Sequence, residues 1–436
     1  MNQAIIAAER AFPEMRAMPA HRRRAILQSV HDRLSADREK FAQLITAENQ
    51  KPIRDSRGEV GRALFTLTLA IEEAGRMNGE LLPMDLVEAG ERRLGLVRRF
   101  PIGPIAAITP FNFPLNLVLH KVAPALASGN TMVVKPSPRT PETAAELGRL
   151  FHESGLPDGA LSVLPLEACG ADVAVAMACD PRFKMLTFTG SAEVGWSLKA
   201  QAGKKRVVLE LGGNSGTIVH SDADLEYAVS RILAGGFAFS GQSCVSVQRI
   251  FVERSVYSHF LELLTPRVRQ LKVGDPCNET TDVGPMIDLP AAERAETWIR
   301  EAVAQGAKLL AGGRRDGRTL EPAVLVDATP DMLVNCREVF APLVTVAAYD
   351  RFEEALDLVN QTNFGLHAGV FTRDNARIFQ AFETLEVGGV IVNDVPTYRV
   401  DHMPYGGAKD SGFGREGIRY AIEEMTEPRI MVLNLK

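Results

Sequence analysis

The 436-residue chain is predicted to fold as an α/β protein with two parallel-sheet units meeting at a cleft. Three observations carry that expectation. Beginning at Ile105, short apolar runs alternate with amphipathic segments, the rhythm of a parallel sheet crossed by helices. Several of these runs end in a polar or glycine-rich turn, and such sheets bind ligands at the carboxyl ends of their strands. The length also exceeds what one hydrophobic core normally organises.

Taken in order, residues 1–79 read mainly as helices, because Ile26, Leu27, Val30 and Leu34 recur at helical spacing among polar positions. Two extended segments, 80–88 and 92–100, flank Ala89-Gly90 and predict a hairpin. A two-stranded ribbon is marginal alone in water, so it should lie against another subunit or domain. Strands follow in IAAIT at 105, TMVVK at 131, ALSVL at 160, KMLTFT at 184 and RVVLEL at 206. Thr140 as N-cap, Pro141 at the first helical position, apolar Ala144, Leu147 and Phe151 and a terminating Gly155 mark a helix between the second and third. After Leu211 the alternation restarts with TIV at 217, a helix from Asp224, RIFV at 249 and helices near 255–272 and 290–305. VTVAAY at 344, a helix from Phe352, AGVFT at 368 and GVIVN at 389 complete it. No repeat or Gly/Ser linker separates the units, which should pack closely.

Hydrophobic residues at 46% and charged ones at 24% match an ordinary globular protein. A formal charge of −5 gives no reason to expect nucleic acid or an anionic membrane as partner, which leaves small molecules. Glu9, Arg10 and Glu14 interrupt the N-terminus where a signal peptide needs an apolar core, and no run approaches the spanning length of about 18 residues, so a cytoplasmic protein is expected. The five cysteines (169, 179, 244, 277, 336) show no CxxC spacing, and neither a disulfide framework nor a metal site is expected.

The residues with chemical potential gather mostly at strand ends. Asn112, in TPFNFPLN, offers a carboxamide that donates to an oxyanion without ionising. Lys135 ends the second strand, where a lysine can bond ribose or phosphate. FTGSAEVG runs a strand into Gly190 and Ser191 and then a helix, whose free N–H groups suit an anion. It is neither GxGxxG nor a Walker motif. Glu210 precedes Gly212 and Gly213, which leave it little shielded; in a largely apolar cleft its pKa would rise and it could act as a general base. Cys244 lies among small polar residues in SGQSCVS and reads as a more accessible thiol than Cys179 with its aliphatic neighbours. Glu338 and Phe340 are two apart in CREVFAP, so on an extended segment both point the same way, a carboxylate for ribose hydroxyls and a ring for a flat heterocycle. Singly, each is more readily structural. Together they suit thiohemiacetal chemistry with hydride transfer to a nicotinamide.

TPFNFP at 109, KPSPRTP at 135, FTGSAEVG at 188, LELGGNS at 209, GQSC at 241, EVFAP at 338, FGL at 364 and PYGGAKDSGFGREG at 404 occur in an order and spacing that resemble the NAD(P)-dependent aldehyde dehydrogenase superfamily over nearly the whole chain. The resemblance implies a Rossmann-type cofactor domain over 1–79 and 101–211, an α/β catalytic domain over 212–410, and a β-hairpin oligomerisation arm over 80–100 and 418–436. It implies Cys244 as nucleophile, Glu210 as the base for the deacylating water, and Asn112 with the Cys244 N–H as the oxyanion donors. Lys135, Ser137, Gly190, Ser191, Glu338, Phe340, Thr109 and Pro110 would bind NAD or NADP. A homodimer or homotetramer is implied, with a small aldehyde as the other partner.

The chain departs from the family pattern in several places. Pro138 and Arg139 stand where many NAD-specific members place a glutamate that repels a 2′-phosphate, so both NAD and NADP stay open. Arg337 and Ala341 replace a common Glu and Gly around Glu338, and Phe111 replaces a more usual Trp. The chain opens within the first helical region, without the N-terminal strand pair of most members. Glu210 favours hydrolysis over the CoA-acylating alternative, whose members characteristically lack it. Retention of Cys244, Glu210 and Asn112 argues against a non-catalytic dinucleotide-binding member. The motifs are most similar to the lactaldehyde, glyceraldehyde and phosphonoacetaldehyde dehydrogenase-like subgroup. Phe113 and Ser243 occupy the places where a phosphonate would call for basic residues. A small, hydroxylated aldehyde is expected, with Arg399 or His402 as its polar contact.

Overall fold

The computed structural model describes residues 1–165 and 170–435. Four helices, Asn2–Ala17, Ala20–Ala36, Arg38–Asn49 and Ile53–Glu73, open the chain. Leu27, Val30 and Leu34 are buried as their spacing requires.

A six-stranded sheet follows, in the order Gly412–Phe413, Arg206–Glu210, Met185–Thr189, Pro104–Ile108, Thr131–Lys135, Leu161–Val163. It is parallel except for the edge strand Gly412–Phe413, whose Gly412 pairs with Glu210. The inner strands Pro104–Ile108 and Thr131–Lys135 are buried along their whole length because helices cover both faces, leaving no solvated side that would call for alternation. A seven-stranded sheet runs Lys308–Ala311, Ala323–Val326, Leu343–Tyr349, Val247–Glu253, Ser215–Val219, His367–Phe371, Gly389–Val392, parallel except for its first pair. Lys308–Ala311 and Ala323–Val326 were not anticipated. Each is only four residues long, too short for a period to emerge. The helix Pro141–Glu153 starts with proline at its first turn as expected, but Thr140 caps it without a side-chain hydrogen bond.

Two expectations about the arm are corrected. The first hairpin strand ends at Pro83, not 88, and a short 3-10 turn over Glu88–Gly90 leads into Arg93–Pro101. The C-terminal stretch 418–436 divides. The helix Ile418–Glu424 buries Ile418 and Ile422 in the core beneath the six-stranded sheet, and only Thr426–Asn434 joins the arm, pairing along Arg93–Pro101. Among the described residues no helix is long and apolar enough to cross a membrane, and no group of three or more His, Cys, Asp or Glu is arranged to hold a metal.

Candidate active site

Two cavities meet between the sheets. One, of about 320 Å³, is lined by Phe113, Ser243, Arg399 and Tyr405 among others. The other, a cleft of about 900 Å³, is lined by Thr109, Pro110, Asn112, Lys135, Ser137, Gly190, Ser191, Glu338 and Phe340. Cys244 and Glu210 line both, together with Leu117, Thr189 and Leu211. Of the residues expected to act in catalysis or to bind cofactor or substrate, His402 alone lines neither cavity; it is exposed and packs edge-on against Phe65.

The thiol is presented by a strained loop. Phe239, Ser240 and Gly241 take successive left-handed conformations, with φ of 47°, 56° and 66°. Such backbone persists for non-glycine residues only when neighbours over-determine it. Here Asp55 accepts from the Phe239 N–H at 3.3 Å, and the Ser240 hydroxyl donates to the Gly284 carbonyl at 2.6 Å. A Cβ on Gly241 would lie 2.1 Å from the Ala341 carbonyl oxygen, which accounts for the glycine of GQSC. Cys244 is half-buried, whereas Cys179 is exposed, so accessibility is not what distinguishes the two thiols. Its Sγ lies 3.0 Å from the Tyr405 hydroxyl. Burial pushes the thiol up to about 11, against the hydrogen bond to Tyr405 and the charge of Arg399.

Glu210 ends its strand where the two cavities meet, 3% exposed, and neither carboxylate oxygen has a hydrogen-bond partner. Burial, reinforced by the nearby Glu416 carboxylate, raises its pKa well above the ordinary range. Gly212 and Gly213 serve a different purpose from the one expected. A Cβ on Gly212 would meet the Glu338 carboxylate at 2.4 Å, and one on Gly213 the Cys244 carbonyl at 2.2 Å, so these glycines admit neighbouring residues rather than uncover Glu210. Glu338 accepts the Gly213 N–H at 3.0 Å, and burial lifts it to about 7. Phe340 lies beside it, but with φ of 53° the segment is not extended as the sequence suggested. A left-handed turn, not strand alternation, brings both side chains to the cleft.

Asn112 is held by residues that sequence reading missed. Lys51 Nζ donates to its carbonyl at 2.7 Å, Glu59 accepts the N–H groups of Leu115 and Asn116, and Asn49 donates to the Phe111 carbonyl. Lys51 and Glu59 form a fully buried ion pair, with the ammonium 3.9 Å from the Phe113 ring centroid. The Asn112 carboxamide donates to the Gln242 carbonyl at 3.1 Å and leaves its oxygen unpartnered. Near Glu210, Lys121 bonds Glu416 at 2.7 Å, and Arg399 lies 3.5 Å from the same carboxylate. Burial alone would push Glu416 up, but Lys121, His120 and Arg399 hold it down to about 2. Apart from Arg399 and the charge of Glu416 in GREG, the sequence marked none of these residues; Lys51 lies between two helices and Lys121 within the helix Asn116–Ser128.

The chain belongs to the aldehyde dehydrogenase family, whose model matches residues 1–431. It is 47% identical to the 3-sulfolactaldehyde dehydrogenase of Priestia aryabhattai over all of this chain and 90% of that protein. It superposes with a TM-score of 0.97 on aldehyde dehydrogenase 21 from Physcomitrella patens, solved with the reaction product succinate, at 46% identity over 100% of this chain and 90% of that one. Glyceraldehyde-3-phosphate dehydrogenase GapN from Methanocaldococcus jannaschii, solved with NADP, superposes at 0.95 with 36% identity, covering 99% and 94%.

Proposed function

We propose that this enzyme oxidises a short, hydroxylated aldehyde of the lactaldehyde type to its carboxylic acid, with NAD or NADP as hydride acceptor. The observation that carries the reading is that Cys244 and Glu210 each line both a compact cavity and a long cleft. A thiol there can bond an aldehyde carbon entering from one side while its hydride leaves to the other.

The cleft fits a dinucleotide. Thr109 presents a buried hydroxyl without a partner, Glu338 a carboxylate with acceptor capacity left, and the helix Ala192–Gln201 begins at Ser191 without a side-chain cap. Lys135, Ser137, Glu338 and Phe340 would hold the cofactor, which supplies a nicotinamide ring able to accept a hydride. In this reading the six-stranded sheet carries the cofactor and the seven-stranded sheet the nucleophile.

The Cys244 thiolate bonds to the carbonyl carbon, and the Cys244 N–H and Asn112 carboxamide hold the resulting oxyanion. Loss of hydride leaves a thioester on Cys244. Glu210, free of any hydrogen bond and raised in pKa, takes a proton from the water that cleaves it.

Arg399 reads the far end of the substrate. Lys51 pairs with Glu59, Arg62 with Asp401 and Arg54 with Asp282, whereas Arg399 contacts its carboxylate only at 3.5 Å and keeps a buried Nε without a partner. It can bond a hydroxyl or a terminal acid oxygen, as the names of the sulfolactaldehyde- and lactaldehyde-oxidising relatives suggest. A steady-state screen of lactaldehyde, glyceraldehyde, 3-sulfolactaldehyde and succinate semialdehyde with each cofactor, using Cys244→Ala as blank, tests the activity. Arg399→Ala should raise KM for the oxygenated substrates selectively; an unchanged KM for all short aldehydes excludes the assignment.

The arm exposes Leu81, Ile430, Met431 and Leu433 beside its unpaired edge, which supports pairing with a second copy as a dimer or tetramer in the cytoplasm. Monomeric behaviour by light scattering at micromolar concentration overturns that part.

A further inference from the structure

We propose that the Tyr405 hydroxyl is a catalytic hydrogen-bond donor to Cys244, stabilising the attacking thiolate and releasing it once the carbon–sulfur bond forms. The inference rests on Cys244 being the nucleophile.

The geometry is specific. The Tyr405 oxygen lies 3.0 Å from Sγ, and this is the hydrogen bond formed by either group among the described residues. Tyr405 is 2% exposed and packs with Val245 and Leu366 against Cys244, so water does not compete freely for the sulfur. The ring is held on three sides. The Arg399 guanidinium stacks 3.5 Å from its centroid, His367 meets it edge-on at 5.1 Å, and its backbone exchanges two hydrogen bonds with Glu416, at 3.0 and 2.7 Å. A hydroxyl fixed this way cannot follow the sulfur if the sulfur moves, so it selects one thiol rotamer.

The chemistry follows from donor and acceptor capacity. A neutral thiol is a weak acceptor, and the pair can be bonded in either direction. When the S–H proton passes to water in the cavity, which carries it to solvent, sulfur can only accept, and the phenol becomes a donor to an anion, the stronger kind of hydrogen bond. When a sulfur lone pair forms the bond to the carbonyl carbon, the negative charge passes to the carbonyl oxygen. Sulfur is then a thioether-like acceptor, and Tyr405 loses most of its hold. The bond is therefore tightest before attack. A buried thiol with a raised pKa needs such compensation, since the phenol and Arg399 are the neighbours that favour its ionised form.

The test is the pH dependence of Cys244 alkylation by iodoacetamide, measured with kcat/KM for the best aldehyde. Tyr405→Phe removes one oxygen and keeps the ring that packs on Arg399 and His367. It should shift the alkylation profile up by about one pH unit and lower kcat/KM about 10-fold, in line with losing a hydrogen bond to an anion. Site-specific Tyr405→3-fluorotyrosine, a more acidic donor on a similar ring, should shift the profile down and serves if the phenylalanine variant does not fold. Profiles that coincide with wild type in either variant overturn the proposal. Were Cys244→Ala to retain full activity, the assignment of the nucleophile itself would fall, a separate failure.

Discussion

Glu210 and Glu416 sit in the same cavity, 3% and 2% exposed, and the protein treats them in opposite ways. Around Glu416 stand Lys121 at 2.7 Å, Arg399 at 3.5 Å and His120 nearby, and its carboxyl is held down to about 2. Around Glu210 no donor reaches either oxygen, and its pKa is raised. Burial is therefore not what separates them. Cationic partners hold one carboxyl down, and their absence leaves the other raised, a contrast recurrent where paired carboxylates share a site.

Removing the unpartnered member should cost the most. The deacylating role proposed for Glu210 predicts that Glu210→Gln lowers kcat by about 10²–10⁴-fold while leaving a stoichiometric burst of reduced cofactor. A slow steady state without a burst places the role of Glu210 before the thioester.

Glu416→Gln breaks the other half. It leaves Lys121 buried and unpaired, and a loss of about 3–5 kcal/mol in urea unfolding is expected at pH 7. Because the folded carboxyl is depressed to about 2, its contribution is complete above the ordinary carboxylate range and is lost as pH falls from about 4.5 towards 2. The wild type should lose that increment across this window and the variant should not. The same substitution removes a negative charge beside Glu210, so the pH at which deacylation switches on should move down.

Glu338 supplies an intermediate case, with one backbone donor and a pKa of about 7. In the cofactor role proposed for it, the ionised form would accept from two hydroxyls at once, so dinucleotide affinity measured by fluorescence titration should weaken several-fold below about pH 7. Glu338→Gln should flatten that dependence. A wild-type affinity independent of pH between 6 and 8 removes Glu338 from cofactor binding.

Much of this was legible in the sequence because it is local. Glu210 follows its apolar strand directly, Asn112 sits in the turn after another, and GQSC announces a turn before a thiol. Tyr405, Lys51 and Glu59 were not legible as site residues, since their meaning comes from partners 161, 61 and 56 positions away. No period or turn signal links such positions. The accessibility argument for Cys244 failed for a related reason. Flanking residues describe the chain beside a thiol, whereas its burial also depends on Leu366 and Tyr405 from a later part of the chain, which join Val245 around it. The extended reading of Glu338 and Phe340 failed because a left-handed φ at a phenylalanine is imposed from outside the segment.

The pairing of Gly412 with Glu210 has a consequence for how the enzyme is made. The strand that ends in Glu210 gains its outer neighbour from residues about two hundred positions later, and the phenol that meets Cys244 arrives only with residue 405. During synthesis from the N-terminus, most of the chain is complete before the reactive centre can assemble. A ribosome-bound fragment that carries Cys244 but ends before residue 405 lacks the hydroxyl that meets this thiol in the folded chain, so their contact waits until the surrounding fold has closed.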